Sequence, residues 1–311
     1  MARPRNKIAD WLAYLGLRVG ESLLHAMGFA VSYRLAALAG WLLYHFDGRH
    51  RRRALAHLRL SFPDWSEAQC WRVARRSFRS MVFMGMELLF TPRRITVATY
   101  RRHVRLREMS EAIRLMTSRR SPAILVTGHF GNWEVAGYMT AAVGLPTATV
   151  ARHIDNPLLH EHILGVRQRA GQRIIDKKGA ATEAAEVLAA NGVLTFVADQ
   201  DAGKKGLFVD YFGRKASTYK SIGLLAMLYR APICVMESRR LDEGFHFEVS
   251  CRRVIRPEEW DAQDNPLRWI TQEYTTALEQ AARSDPGQYF WMHRRWKNRP
   301  RGEPRGQDGV A

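Results

Sequence analysis

The 311-residue sequence predicts an α/β fold: a mainly parallel sheet flanked by helices, with an N-terminal apolar helical membrane anchor. Three observations lead there. From Pro122 onward, short apolar runs alternate with helical stretches, the texture of a layered α/β domain. Residues 11–46 are predominantly apolar, with Arg49, His50, Arg51, Arg52 and Arg53 following at once. Residues 54–91 carry a helical pattern broken by Phe62-Pro63-Asp64, after which Ser66 is an N-cap candidate.

Taken in order, the anchor comes first. Residues 1–47 form a membrane-associating helical segment. Its apolar region is too long for a secretory signal and ends at no small-residue cleavage site. Arg18, Glu21 and Arg34 interrupt it, leaving uncharged runs of about 12 residues, short of the ~18–20 needed to cross hydrocarbon. Two interfacial helices, or a buried helical hairpin, fit the same pattern. The basic cluster that follows suits an anionic cytoplasmic lipid face.

Residues 48–298 are the α/β domain. Strands are expected at 123–126, 147–151, 193–198, 232–237 and 245–250. Helices are expected at 133–143, 157–169, 179–190, 217–229 and 266–282. Residues 299–311, rich in Pro, Gly and Arg, read as a disordered tail.

Lys and Arg number 48 against 30 Asp and Glu, a formal charge of +18. Such a chain favours anionic partners: nucleic acid, an acidic membrane face, an acidic carrier protein or a phosphorylated substrate. Cys70, Cys234 and Cys251 are widely spaced and odd in number, so they read as reduced core residues without a zinc pattern.

Four segments carry chemistry. Thr127-Gly128-His129-Phe130-Gly131-Asn132-Trp133-Glu134 follows a buried strand and opens a helix. Ligands in open α/β sheets bind beyond the carboxyl ends of strands, which is where His129 falls. His129 and Glu134 can meet only if the histidine lies in the loop and the glutamate in the first helical turn; a carboxylate there would fix the imidazole tautomer. A loop histidine that merely caps the helix is the alternative.

Asp199, at the end of another apolar strand, must be paired or functional, because an isolated buried carboxylate is costly. Lys204 and Lys205, in Gly203-Lys204-Lys205-Gly206, are candidate anion contacts or a solvated turn; the spacing is not that of a P-loop. Phe208, Tyr211 and Phe212 line a groove or belong to the core. Arg152 suits a phosphate or an oxyanion, unless it is spent on Asp155. Residues 289–297 interleave aromatic and basic side chains, as single-stranded nucleic acid sites and membrane interfaces both do.

Together these blocks resemble the lysophospholipid acyltransferase family of the lipid A biosynthesis type, the late (lauroyl- or myristoyl-type) acyltransferases. The resemblance runs over residues 8–300. It is carried by Gly128-His129-Phe130 with Asn132-Trp133-Glu134, Asp155-Asn156-Pro157-Leu158, Asp199-Gln200-Asp201, Phe208-Val209 with Phe212-Gly213, and Trp291 with His293-Arg294-Arg295. It implies His129 and Glu134 as the catalytic pair but gives no role to the Gly-Lys-Lys-Gly insert; Arg152, Asn132, Asp199, Lys204, Lys205, Phe208 and Tyr211 are the candidate substrate contacts on the reading of the residues themselves. The resemblance implies a cytosol-facing domain on the inner membrane, a thioester of acyl carrier protein or CoA as donor, and a lipid A precursor or similar glycolipid as acceptor. A branch of the family acylates phosphatidylinositol mannosides from CoA thioesters.

With His129 as base and no serine or cysteine in a nucleophile position, direct transfer is expected, with no cofactor and no metal. The competing class is a nucleic-acid-binding module. It leaves the Gly-His-Phe block, the Asp199 strand end and the apolar N-terminus without a role, so no nucleic acid partner is expected.

Overall fold

A computed structural model describes residues 6–145, 147–177, 179–300 and 302. The predicted tail falls almost wholly outside these residues. The N-terminal apolar stretch forms two helices, α1 (Lys7–Met27) and α2 (Phe29–Phe46), divided at Gly28, whose φ of 76° a residue with a side chain rarely adopts. Asn6 caps α1 by accepting from the Ile8 and Ala9 amides.

The expected N-terminal membrane anchor is overturned. Among the described residues no helix is long and apolar enough to cross a membrane. The physical reason is the charge inside α1 and the break after it. Glu21 lies 3.6 Å from Arg18 and 3.0 Å from His162, so α1 is tied by ionisable groups to the α/β domain.

Helix α3 (Gly48–Ser61) and the long α4 (Glu67–Arg94) follow, the latter opened by a Ser66–Gln69 capping box. Helix α2 lies against α4 at Gly40, where an added Cβ would sit 2.6 Å from the Arg79 Cα. Next come α5 (Tyr100–His103), β1 (Val104–Arg107), α6 (Ser110–Ser118), β2 (Ala123–Thr127), α7 (Trp133–Ala142), β3 (Thr147–Ala151), α8 (Pro157–Gln168), β4 (Arg173–Asp176), α9 (Ala180–Ala189) and β5 (Val193–Val197). The hairpin β6 (Leu207–Tyr211) and β7 (Arg214–Thr218) precedes α10 (Lys220–Tyr229), β8 (Ile233–Arg240), β9 (Phe247–Ile255), α11 (Pro257–Asp261) and α12 (Pro266–Ser284).

Seven strands form one sheet in the order β1-β9-β8-β2-β5-β3-β4. The run from β8 to β4 is parallel; β9 is antiparallel to β8, and β1 is parallel to β9. The mainly parallel sheet expected from the alternation is present. Strands β1 and β4 and the β6–β7 hairpin were not foreseen. The first two have only four residues each, with one buried position apiece, too little pattern to read.

Segment 289–297 is not a surface of aromatic and basic groups. Tyr289, Trp291, Trp296 and Arg295 are all buried, and Arg295 donates to the Ser217 carbonyl and the Thr218 hydroxyl. The three cysteines are buried and unpaired.

Candidate functional site

Strands β2 and β5 are neighbours, with Thr127 opposite Val197 in the register. The chain leaves both strands at their carboxyl ends, and the Ala198 amide still donates to the Thr127 carbonyl at 2.8 Å. The residues two places further on, His129 and Asp199, therefore emerge side by side. His129 Nδ1 lies 2.6 Å from Asp199 Oδ1, and the His129 amide donates to Asp199 Oδ2 at 2.8 Å. Asp199 is 3% exposed. Burial alone would raise its carboxyl pKa, but the His129 charge and hydrogen bonds outweigh this and hold it below the usual carboxylate range.

With Nδ1–H committed to Asp199, Nε2 is the ring nitrogen that carries the acceptor lone pair. It accepts from the Gln200 side-chain amide at 3.2 Å. Trp133 meets the ring edge-on, with centroids 4.6 Å apart.

The turn that carries His129 is held from three sides. Gly128 passes so close to Asp199 that an added Cβ would lie 3.2 Å from its carboxyl carbon. Gly131, at φ 59°, packs against β8, where a Cβ would come within 1.7 Å of the Ser238 oxygen. Its amide donates to the Gln288 carbonyl, and the Phe290 amide donates to the His129 carbonyl. Asn132 caps α7 through the Val135 amide and donates its own amide to Glu87 Oε2 at 2.7 Å. Glu87, fully buried, also binds Arg240 through both oxygens and the Tyr33 hydroxyl.

Glu134 sits in the first turn of α7, as the sequence suggested, and its hydrogen bonds run to Arg167 on α8. The pair is bidentate, at 2.8 and 2.5 Å. Burial alone would lower the Arg167 pKa; the Glu134 charge and hydrogen bond outweigh it and raise it. Nothing in the sequence marks Arg167, because an arginine late in an amphipathic helix carries no local signal. Gln200 entered only as the middle of Asp199-Gln200-Asp201.

A cavity of about 850 Å³ opens beside His129. Leu125, Ala136, Ile174 and Leu225 are among its apolar walls, and His129, Glu134, Arg167 and Arg152 also face it. Arg152 is 78% exposed and lies 3.3 Å from Asp155. Asn132 and Asp199 stand behind the cavity wall rather than in it. Lys204 and Lys205 are exposed in a turn away from the lining. Phe208 is half-buried on the hairpin, and Tyr211 is buried in the core against Phe212 and Trp296, so neither borders the cavity.

A histidine held by a buried carboxylate, with its second nitrogen facing a large apolar cavity, can take a proton from a hydroxyl beside a hydrocarbon chain. Comparison with known proteins agrees in kind. The chain is 27% identical to a lipid A biosynthesis lauroyltransferase of Escherichia coli K12, over 94% of each protein. It is 26% identical to a lipid A biosynthesis acyltransferase of Haemophilus influenzae, over 93% of this chain and 91% of that one. A phosphatidylinositol mannoside acyltransferase of Mycobacterium tuberculosis is 24% identical, over 56% of this chain and 54% of its own length. The sequence model described as bacterial lipid A biosynthesis acyltransferase matches residues 3–298, so the chain belongs to that family and is an O-acyltransferase.

Proposed function

We propose that the protein moves a fatty acyl chain from a thioester of acyl carrier protein or CoA to a hydroxyl of a lipid A precursor or a similar glycolipid. The observation that carries this reading is the His129–Asp199 pair at the mouth of a cavity large enough for an acyl chain. His129 Nε2 takes the acceptor hydroxyl proton as its oxygen attacks the thioester carbonyl. The C–S bond then breaks, an ester remains, and the proton passes to the leaving thiolate. Asp199 holds the tautomer and stabilises the imidazolium. The Gln200 side-chain amide, with a second hydrogen beyond the one at His129 Nε2, is the neighbouring donor for the oxyanion; the single Gly131 N–H is spent on Gln288. Glu134, through Arg167, supports the helix that follows the turn. The chemistry needs no cofactor or metal.

The acceptor is presented at the cytoplasmic face of the inner membrane. Supporting this are the exposed apolar residues Trp11, Leu12, Leu15, Val19, Trp41 and Phe46, with the basic residues 49–53 close by in sequence. They suit contact with an anionic lipid surface. The phosphatidylinositol mannoside-like acceptor is the second reading, favoured only by the partial likeness to the mycobacterial enzyme.

The test is incubation of purified protein with a labelled lauroyl thioester and each acceptor, followed by mass spectrometry of the lipid. An acylated lipid A precursor that depends on His129 is the expected product. Thioester turnover with no acylated glycolipid would overturn the reading.

A further inference from the structure

His129 borders two cavities. Beside the large one lies a second, of about 240 Å³, and His129, Trp133 and Gln200 belong to the walls of both. The outer wall of the small cavity is a single stripe of α4: Ser77, Ser80, Met81 and Met84, spaced i, i+3, i+4, i+7. Its hydroxyls are engaged by the protein. Ser77 donates to the Tyr289 carbonyl at 2.5 Å, and Ser80 accepts from Arg240 at 3.0 Å. What remains facing inward is mostly thioether and aromatic: Met81, Met84, Trp133 and Phe290, with His129 and Gln200 as the polar end. Met81 is 44% exposed, so the stripe reaches the surface.

In a direct two-substrate transfer the acceptor hydroxyl must reach the general base while the donor carbonyl lies beside it, so the two substrates meet at the base. The large cavity has more than three times the volume of the small one, so a long acyl chain fits only the former. Building on the acyl-transfer reading above, we propose that the small cavity is the acceptor subsite. It takes the hydroxyl-bearing part of the glycolipid, with an apolar segment of that lipid against Met81 and Met84. Flexible methionines suit a lipid segment that has to slide in from the surface.

Steady-state kinetics with a labelled lauroyl thioester and a lipid A precursor test this. Met84→Trp fills the small cavity, and Ala136→Phe fills the large one. For Met84→Trp the acceptor KM is expected to rise about tenfold more than the donor KM, the size of effect a pocket-filling change produces. Ala136→Phe is expected to give the reverse split. Should Met84→Trp not fold, judged by thermal melting, Met81→Trp at the rim is expected to shift the same ratio in the same direction, by less. A donor KM that rises as much as the acceptor KM in the α4 variants, or an acceptor KM that does not rise, overturns the subsite. A wild-type protein that acylates neither glycolipid while hydrolysing the thioester overturns the functional reading instead.

Discussion

One carboxylate, Asp199, grips His129 twice: Oδ1 at 2.6 Å from ring Nδ1 and Oδ2 at 2.8 Å from the backbone amide. It fixes the ring tautomer and the turn that carries the ring together. Asp199→Asn keeps the shape but loses the charge that stabilises an imidazolium. The expected result is a fall in kcat of about 10²–10⁴-fold, comparable to His129→Ala, with the double variant little worse than either. Acyl transfer from a labelled thioester, with folding checked by thermal melting, measures it. Near-normal kcat in Asp199→Asn would show that the pair is not the catalytic unit.

Glu134→Gln is expected to act on stability through Arg167. It leaves a largely buried guanidinium without its carboxylate, at a cost of about 2–3 kcal/mol, below the full value for a buried pair because Arg167 keeps 22% of its side-chain surface. Glu134→Gln combined with Arg167→Met should recover much of that loss in urea unfolding. A fall in kcat with no change in stability would instead assign the Glu134 carboxylate to the chemistry.

Gly131→Ala is expected to abolish folding of the turn that carries His129. The added methyl would meet the Ser238 carbonyl on β8, and φ at 59° disfavours any side chain. Gly144→Ala serves as the comparison, since its φ of 81° is also positive while its Cβ would meet nothing within 4 Å. Melting temperatures should separate the two, with Gly131→Ala much the lower. Equal losses would mean that backbone strain alone, not the contact with β8, sets the cost.

Acid sensitivity is expected from two histidines, the buried His57 and the half-buried His293. Burial pushes the pKa of His57 down to about 3 and that of His293 down to about 4. His57 donates to the Trp291 carbonyl, and His293 accepts from the Asp201 amide. Both are neutral in the fold, whereas in the unfolded chain each gains a proton as pH falls through about 6.5. Stability is therefore full above pH 6.5 and declines between 6.5 and 4, by about 1.4 kcal/mol per pH unit for each histidine. Asp199, held low in the fold, adds a loss in the same direction at lower pH. Urea unfolding at pH 7 and pH 5 checks this, and His293→Asn should flatten the slope. A slope no shallower in that variant would place the titration elsewhere.

The local parts of the site were legible in the sequence. Residues 123–126 are continuously apolar and the Gly-His-Phe-Gly-Asn run breaks the strand pattern before Trp133, so a strand, a loop histidine and a helix follow from neighbours in sequence. The unpaired charge at Asp199 announced that the residue needed a partner. The apolar stretch at the N-terminus was equally visible, but its charges and Gly28 make it two helices, neither able to span a membrane.

Which groups meet was decided by the tertiary structure. His129 and Asp199 stand 70 residues apart, and only the insertion of β5 between β2 and β3 brings their strand ends together. Glu134 is five residues from His129, yet its hydrogen bonds turn to Arg167 on the next helix, 33 residues away. The aromatic and basic run at 289–297 looks like a surface in one dimension and is core in three, because Arg295 finds acceptors on β7 and the indoles find apolar neighbours. Sequence periodicity encodes the backbone path of each element; the pairing of side chains depends on sheet order, which long-range packing alone determines.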